Sequence, residues 1–127
     1  GLVFNSQGQV LMAQRSVHQH QPLSWEFPGG KLEASETVSD ALIRELFEEV
    51  GIQVLSHQPF TVIHHDYPDK KVSLMVHEVL SYEGTPFSKE SQPIQWVAVR
   101  DLEKLQVPVA NRPIIEQVIA QFADKVA

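Results

Sequence analysis

The chain has 127 residues, 43% hydrophobic and 20% charged, with a net charge of −6 and no cysteine. That length suits one compact domain with a sizeable core, and the lack of cysteine excludes disulfides and thiolate-bound zinc. A negative domain is a poor partner for polymeric DNA or RNA, which call for a basic patch. No apolar run approaches the roughly 18 residues of a membrane span and no secretory signal is visible, which fits a cytoplasmic protein with no membrane partner.

Leu2, Val3 and Phe4 read as strand directly after Gly1, which implies further residues upstream. The turn cluster Asn5-Ser6-Gln7-Gly8 and then Val10, Leu11 and Met12 complete a hairpin. Residues 16–24 read as an irregular loop. Trp25-Glu26-Phe27 is a short extended piece ended by Pro28-Gly29-Gly30.

Residues 38–50 form the clearest helix. Leu42, Ile43, Leu46, Phe47 and Val50 make one apolar stripe. Thr37 is the expected N-cap, with Asp40 three residues on, and Gly51 is the expected C-terminal stop. Segments 58–67 and 71–80 are rich in β-branched and aromatic residues and read as a second hairpin turning at Pro68-Asp69-Lys70. A polar loop spans 83–93, and a strand runs from Ile94 to Val99. A helix opening near Pro113 repeats the apolar spacing at Ile114, Ile115, Val118, Ile119 and Phe122. The expected fold class is α/β or α+β, with helices packed on a mixed sheet.

The chemistry lies on the 38–50 helix. Glu33, Glu36, Asp40, Glu45, Glu48 and Glu49 fall within seventeen residues. With Glu45 at the origin of a helical wheel, Glu49 lies at about +40° and Glu48 at about −60°. The three carboxylates therefore share one face, opposite the apolar stripe. Like charges at this spacing cost roughly 0.2–0.5 kcal/mol per pair, and they sit in the half of the helix whose dipole disfavours them. Arg44 relieves part of this. The bland reading is a solvated acidic face; the sharper one is a divalent cation held by carboxylates together with substrate phosphates, as suits Mg²⁺. Pro28-Gly29-Gly30-Lys31 adds a tight turn whose backbone can approach a phosphate or metal.

These residues resemble the Nudix box. Its pattern is Gly, five residues, Glu, seven residues, then Arg-Glu-apolar-any-Glu-Glu-any-Gly-apolar. Here it reads Gly30, Glu36 and Arg44-Glu45-Leu46-Phe47-Glu48-Glu49-Val50-Gly51-Ile52, matching at every defined position. The likeness extends more loosely to MutT-type members, which hydrolyse oxidised guanine nucleotides. Their Leu-Glu-Phe-Pro-Gly-Gly-Lys resembles Trp25-Glu26-Phe27-Pro28-Gly29-Gly30-Lys31. Their Pro-Ala-Asn resembles Val109-Ala110-Asn111, and their Gly-Lys-Glu-Gly-Gln loop resembles Ser88-Lys89-Glu90-Ser91-Gln92.

The resemblance implies a single Nudix domain over residues 1–127, with an α/β/α sandwich and a mixed β-sheet. It implies an enzyme that splits a nucleoside triphosphate, preferably 8-oxo-dGTP, into the monophosphate and pyrophosphate, and so keeps oxidised guanine out of DNA. Mg²⁺, or Mn²⁺ in its place, would be held by Glu45, Glu48, Glu49, Glu90 and the Gly30 carbonyl. Glu90 or Glu45 would be the base. Glu36 and Arg44 would form a bracing ion pair. Arg15 and Glu26 would serve the substrate, Arg15 at a phosphate, while Phe27, Tyr67, Lys70 and Asn111 would serve the base pocket. Each has a plainer alternative: Glu90 a solvated loop residue, Arg15 a surface arginine, Phe27 and Tyr67 core, Asn111 a helix cap.

Three positions depart from the MutT pattern. Tyr67 stands for Phe, Lys70 for Arg and Trp25 for Leu, and Lys lacks the planar two-point contact of Arg. Another nucleotide such as CTP is therefore the rival substrate, and a non-catalytic Nudix-fold binding module the rival class. The partner is a small nucleotide, and the chain is expected as monomer or homodimer. His18, His20, His57, His64, His65 and His77 show no zinc spacing and read as surface or core residues; His64 and His65 should point to opposite faces of a strand.

Overall fold

A computed structural model describes residues 1–16 and 23–123. Most of the loop expected over 16–24 lies outside the described residues, as do His18 and His20. The elements are β1 Gln9–Gln14, β2 Trp25–Glu26, α1 Val38–Val50, β3 Gln53–Tyr67, β4 Lys70–Glu83, β5 Ile94–Ala98 and α2 Arg112–Phe122. Short 3-10 turns occupy Val99–Lys104 and Val109–Asn111.

β1 lies between β2 and β5, antiparallel to both, while β3 and β4 form a long antiparallel ribbon. The N-terminal residues join the two. Leu2 N donates to His77 O and Leu2 O accepts from Val79 N, each at 2.9 Å, in a parallel bridge to β4. On the other side Leu11 N donates to Val3 O at 2.9 Å, and Phe4 bridges Val10. The hairpin arm expected at Leu2–Phe4 is thus a seam of isolated bridges. Successive residues turn their hydrogen bonds to different partners, so neither side builds a continuous ladder.

Strand alternation makes the layers. Leu2, Val10 and Met12 point into a core shared with Ile114, Ile115 and Val118 of α2. Val3 and Leu11 point the other way, into a core shared with Leu42, Leu46 and Val50 of α1. The result is the expected α/β/α arrangement, one helix on each face of a mixed sheet.

α1 starts and stops as its sequence dictates. Thr37 Oγ1 accepts from Asp40 N at 3.0 Å. Gly51 takes φ 73° and donates its N–H to Phe47 O, a left-handed cap that favours glycine. Phe47 departs from expectation: it is 49% exposed and outside the core. It lies at the far edge of the stripe, where Lys89 Nζ sits 4.3 Å from its ring centroid.

The ribbon is also longer than expected. β3 begins at Gln53 and β4 continues to Glu83, around the two-residue turn Pro68-Asp69. Register shifts between Val54 and Ser56, Ser56 and His57, and Pro59 and Thr61 break the two-residue alternation. Pro59, which has no N–H to donate, sits beside one of them.

Candidate active site

The site forms where the C-terminal half of α1 meets two loops, residues 27–33 and 84–93. Arg44 is the hub on the exposed side. Its Nε and Nη2 donate to the two oxygens of Glu36 at 2.7 and 2.8 Å. Its Nη1 donates to Glu45 at 2.7 Å and Glu48 at 3.2 Å, and its Nη2 to the Lys31 carbonyl at 3.2 Å. The two-point contact with Arg44, helped by the Glu33 N–H, holds the Glu36 carboxyl down at about 2. The expected Glu36–Arg44 pair is therefore present, and it ties the 31–36 loop to the helix.

Glu49 is turned inward and only 8% exposed. Gly29 N donates to its Oε2 at 3.0 Å, and Gln92 Nε2 approaches its Oε1 at 3.4 Å. Ser88 Oγ in turn donates to Gln92 Oε1 at 3.2 Å. Burial pushes the Glu49 carboxyl up to about 7; the Gly29 N–H opposes this, while the charges of Glu26 and Glu90 add to it.

The end of the helix explains why the second loop lies here. The last carbonyls of an α-helix lack intrahelical partners. Lys89 N donates to Glu49 O at 3.1 Å and Phe87 N to Val50 O at 3.0 Å. That docking brings exposed Glu90 to Glu49.

Gly30 lies against Glu45: a Cβ there would collide with the Glu45 carboxylate. A larger residue at Gly30 would have to displace the Glu45 carboxylate. Arg15 Nη1 donates to Glu26 Oε2 at 2.6 Å, with both side chains mostly buried. Burial raises the Glu26 carboxyl, and the Arg15 charge opposes the rise.

Near the tip of the ribbon, Tyr67 lies beside Lys70 and reaches the 109–111 turn that carries Asn111. Tyr67 Oη accepts from Ala110 N at 3.4 Å, and Lys70 Nζ lies 6.0 Å from the Tyr67 ring centroid. Asn111 is buried and stands at the N-cap position of α2, but its side chain makes no cap hydrogen bond. Phe27 is half-buried and packs against the α2-side core.

Two contacts escaped the sequence. Gln92 reaches Glu49 across 43 residues, a pairing that only the docked loop creates. His65 packs edge-on to Tyr67 with centroids 4.5 Å apart; its signal was the two-residue spacing on one strand face. His64 points away and bonds Ser73 Oγ at 2.8 Å.

Among the described residues, no three acidic or histidine side chains are arranged to hold an ion. Glu45 and Glu48 face Arg44, and Glu49 faces Gly29. The donor set nonetheless fits a hard divalent cation. Carboxylate oxygens are the ligands such ions take, and a buried carboxyl crowded by two other acids is the electrostatic situation a cation would relieve.

Comparisons with known proteins identify the family and the fold. Residues 1–117 match the family described as NUDIX domain. The chain is 36% identical over 115 residues to the 8-oxo-dGTP diphosphatase of Escherichia coli K12, covering 91% of this chain and 89% of that protein. It is 29% identical over 125 residues to the CTP pyrophosphohydrolase of the same organism, covering 98% and 93%. A solved MutT structure, from work on the Aliivibrio salmonicida and Vibrio cholerae proteins, superposes with a TM-score of 0.83 at 40% identity, covering 96% of this chain and 94% of that one. Among the described residues, no helix is long and apolar enough to cross a membrane. With the box complete and residues 1–117 matching the family, the chain belongs to the Nudix hydrolase family, among its MutT-like pyrophosphohydrolases.

Proposed function

We propose that this pyrophosphohydrolase converts 8-oxo-dGTP and water to 8-oxo-dGMP and pyrophosphate, with Mg²⁺ held by Glu45, Glu48, Glu49, Glu90 and the Gly30 carbonyl. Mn²⁺ can stand in for it. The observation that carries the reading is Glu49, buried and oriented by Gly29 N, with Glu26 and Glu90 close enough to raise its carboxyl. When bound, a divalent cation would supply charge neutralisation at the phosphates and make a nearby water more acidic. Glu90 would act as the proton acceptor for the attacking water. Glu45 is the rival base, but one of its oxygens already accepts a hydrogen bond from the Arg44 guanidinium. Arg15, oriented by Glu26, meets a phosphate oxygen, and Phe27, Tyr67, Lys70 and Asn111 hold the base. The Asn111 amide, buried without a capping bond, suits reading a purine edge.

CTP is the second reading. It is favoured by the likeness to a CTP pyrophosphohydrolase over nearly the whole chain and by Lys70, which lacks the two-point contact of an arginine. The test is kcat/KM in Mg²⁺ for 8-oxo-dGTP, dGTP and CTP, with the products identified. The expected result is a clear preference for 8-oxo-dGTP with release of pyrophosphate. Equal rates for 8-oxo-dGTP and dGTP would remove the sanitising role, and orthophosphate as the only inorganic product would remove the pyrophosphohydrolase step.

A further inference from the structure

His57 on β3 and His77 on β4 form a second cluster of titratable side chains. Their Nδ1 atoms lie 2.9 Å apart, with ring centroids 5.0 Å apart. The ladder pairs Pro59 with His77 and His57 with Val79, so the two histidines are diagonal neighbours across the ribbon. Both are half-buried. His57 Nε2 lies 2.8 Å from Ser39 Oγ. Ser39 is in the first turn of α1, three and seven residues before Leu42 and Leu46, and so on the stripe that faces the sheet. The pair is roofed by the start of α1, whereas Glu45, Glu48 and Glu49 lie on its later turns and on another face.

Two Nδ1 atoms in contact can share only one proton. One ring donates and the other accepts through its lone pair. A second proton would set two cationic N–H groups head to head. Burial, and then the neighbouring His57, holds the His77 ring below the usual histidine range. While the two Nδ1 atoms share one proton, only one of them has a lone pair, and the second becomes available when that proton is displaced. Two imidazole nitrogens bound at about 2.0–2.1 Å to a tetrahedral ion sit about 3.3 Å apart, close to the separation already present. A ligating histidine also characteristically donates its other N–H to a nearby oxygen, and Ser39 Oγ is that oxygen for His57.

We propose that His57 and His77 form a two-imidazole site for a divalent transition ion of the zinc, copper and nickel class, separate from the carboxylate site. Imidazole suits these ions, whereas Mg²⁺ prefers oxygen. Among the described residues no third histidine or carboxylate converges on the pair, so water would complete the coordination and binding would be reversible. The spacing of twenty residues hides the site from a sequence reading; only the strand register unites it.

The test is a Zn²⁺ titration of the whole chain in excess Mg²⁺ near pH 7.5, followed by calorimetry and by ¹⁵N spectra of the imidazole rings. One equivalent of Zn²⁺ should shift the His57 and His77 ring nitrogens together. His57→Gln and His77→Gln should each weaken that equivalent by roughly ten-fold or more, while Mg²⁺-dependent hydrolysis is retained. Zn²⁺ binding unchanged in both variants, or ring nitrogens of the unaltered protein that do not respond to Zn²⁺, would overturn the proposal. The ring spectra need no variant, so a poorly folded substitution leaves the test intact.

Discussion

Glu49 concentrates the electrostatics of the candidate site in one side chain. It is a carboxylate with almost no solvent, held by one backbone N–H and one amide and crowded by Glu26 and Glu90. Burial pushes its carboxyl from an ordinary value of 4.5 up to about 7 in the folded state. Between those values only the folded state keeps the proton. Its contribution to stability is fully present below about 4.5 and lost as the pH rises through 7. In EDTA, Tm of the unaltered protein relative to Glu49→Gln should fall across that window, and Mg²⁺ should reverse the fall. A flat difference would contradict the burial argument. The face that Glu49 shares with Glu45 and Glu48 was legible from the helical period. That this one acid turns inward was not, because the cause lies in Gly29 and Gln92, twenty and forty-three residues away.

At the scale of elements, α1 is fixed at both ends and braced along its side. Thr37, Gly51 and the apolar stripe could be read directly, because capping and periodicity are local. Phe47 was misplaced because a stripe has edges, and only the position of Lys89 decides what covers them. The true length of β3 was hidden by bulges that interrupt alternation. Arg44 is the brace: its fork spans both oxygens of Glu36 while reaching Glu45 and Glu48. Lysine has a single ammonium and cannot make that set of contacts. Arg44→Lys should lower kcat/KM by roughly 10–100-fold through misplaced carboxylates, and should lower Tm at neutral pH. The Glu36 carboxyl is depressed, so the stabilising part of this contact is present above its unfolded value of 4.5 and fades as the pH falls toward 2. A Tm difference from the unaltered protein that persists undiminished through that window would contradict the pairing.

For the whole molecule, alternation along β1 feeds two cores, and each helix closes one of them. Leu46 is fully buried in the α1-side core with Leu11 and Val3. Leu46→Ala should cost about 2–5 kcal/mol, measured by urea denaturation, with little change in the slope against denaturant. A cost within error of zero would mean that α1 is not seated on the sheet as described. The layered class was legible from strands flanking a helix. The seam at Leu2–Phe4 that joins the ribbon to the smaller sheet was not, since its parallel bridge to β4 spans the chain. That seam is what sets the layers in which α1 carries its acids to Gly29, Gly30 and the 84–93 loop. Metal-dependent phosphate chemistry at that junction is the central claim. The most direct test is a Mg²⁺ titration of hydrolysis by Glu49→Gln beside the unaltered protein. The expected result is a kcat reduced by at least about 10²-fold and a Mg²⁺ requirement shifted to higher concentration; an unchanged kcat with an unchanged Mg²⁺ dependence would contradict metal chemistry at Glu49.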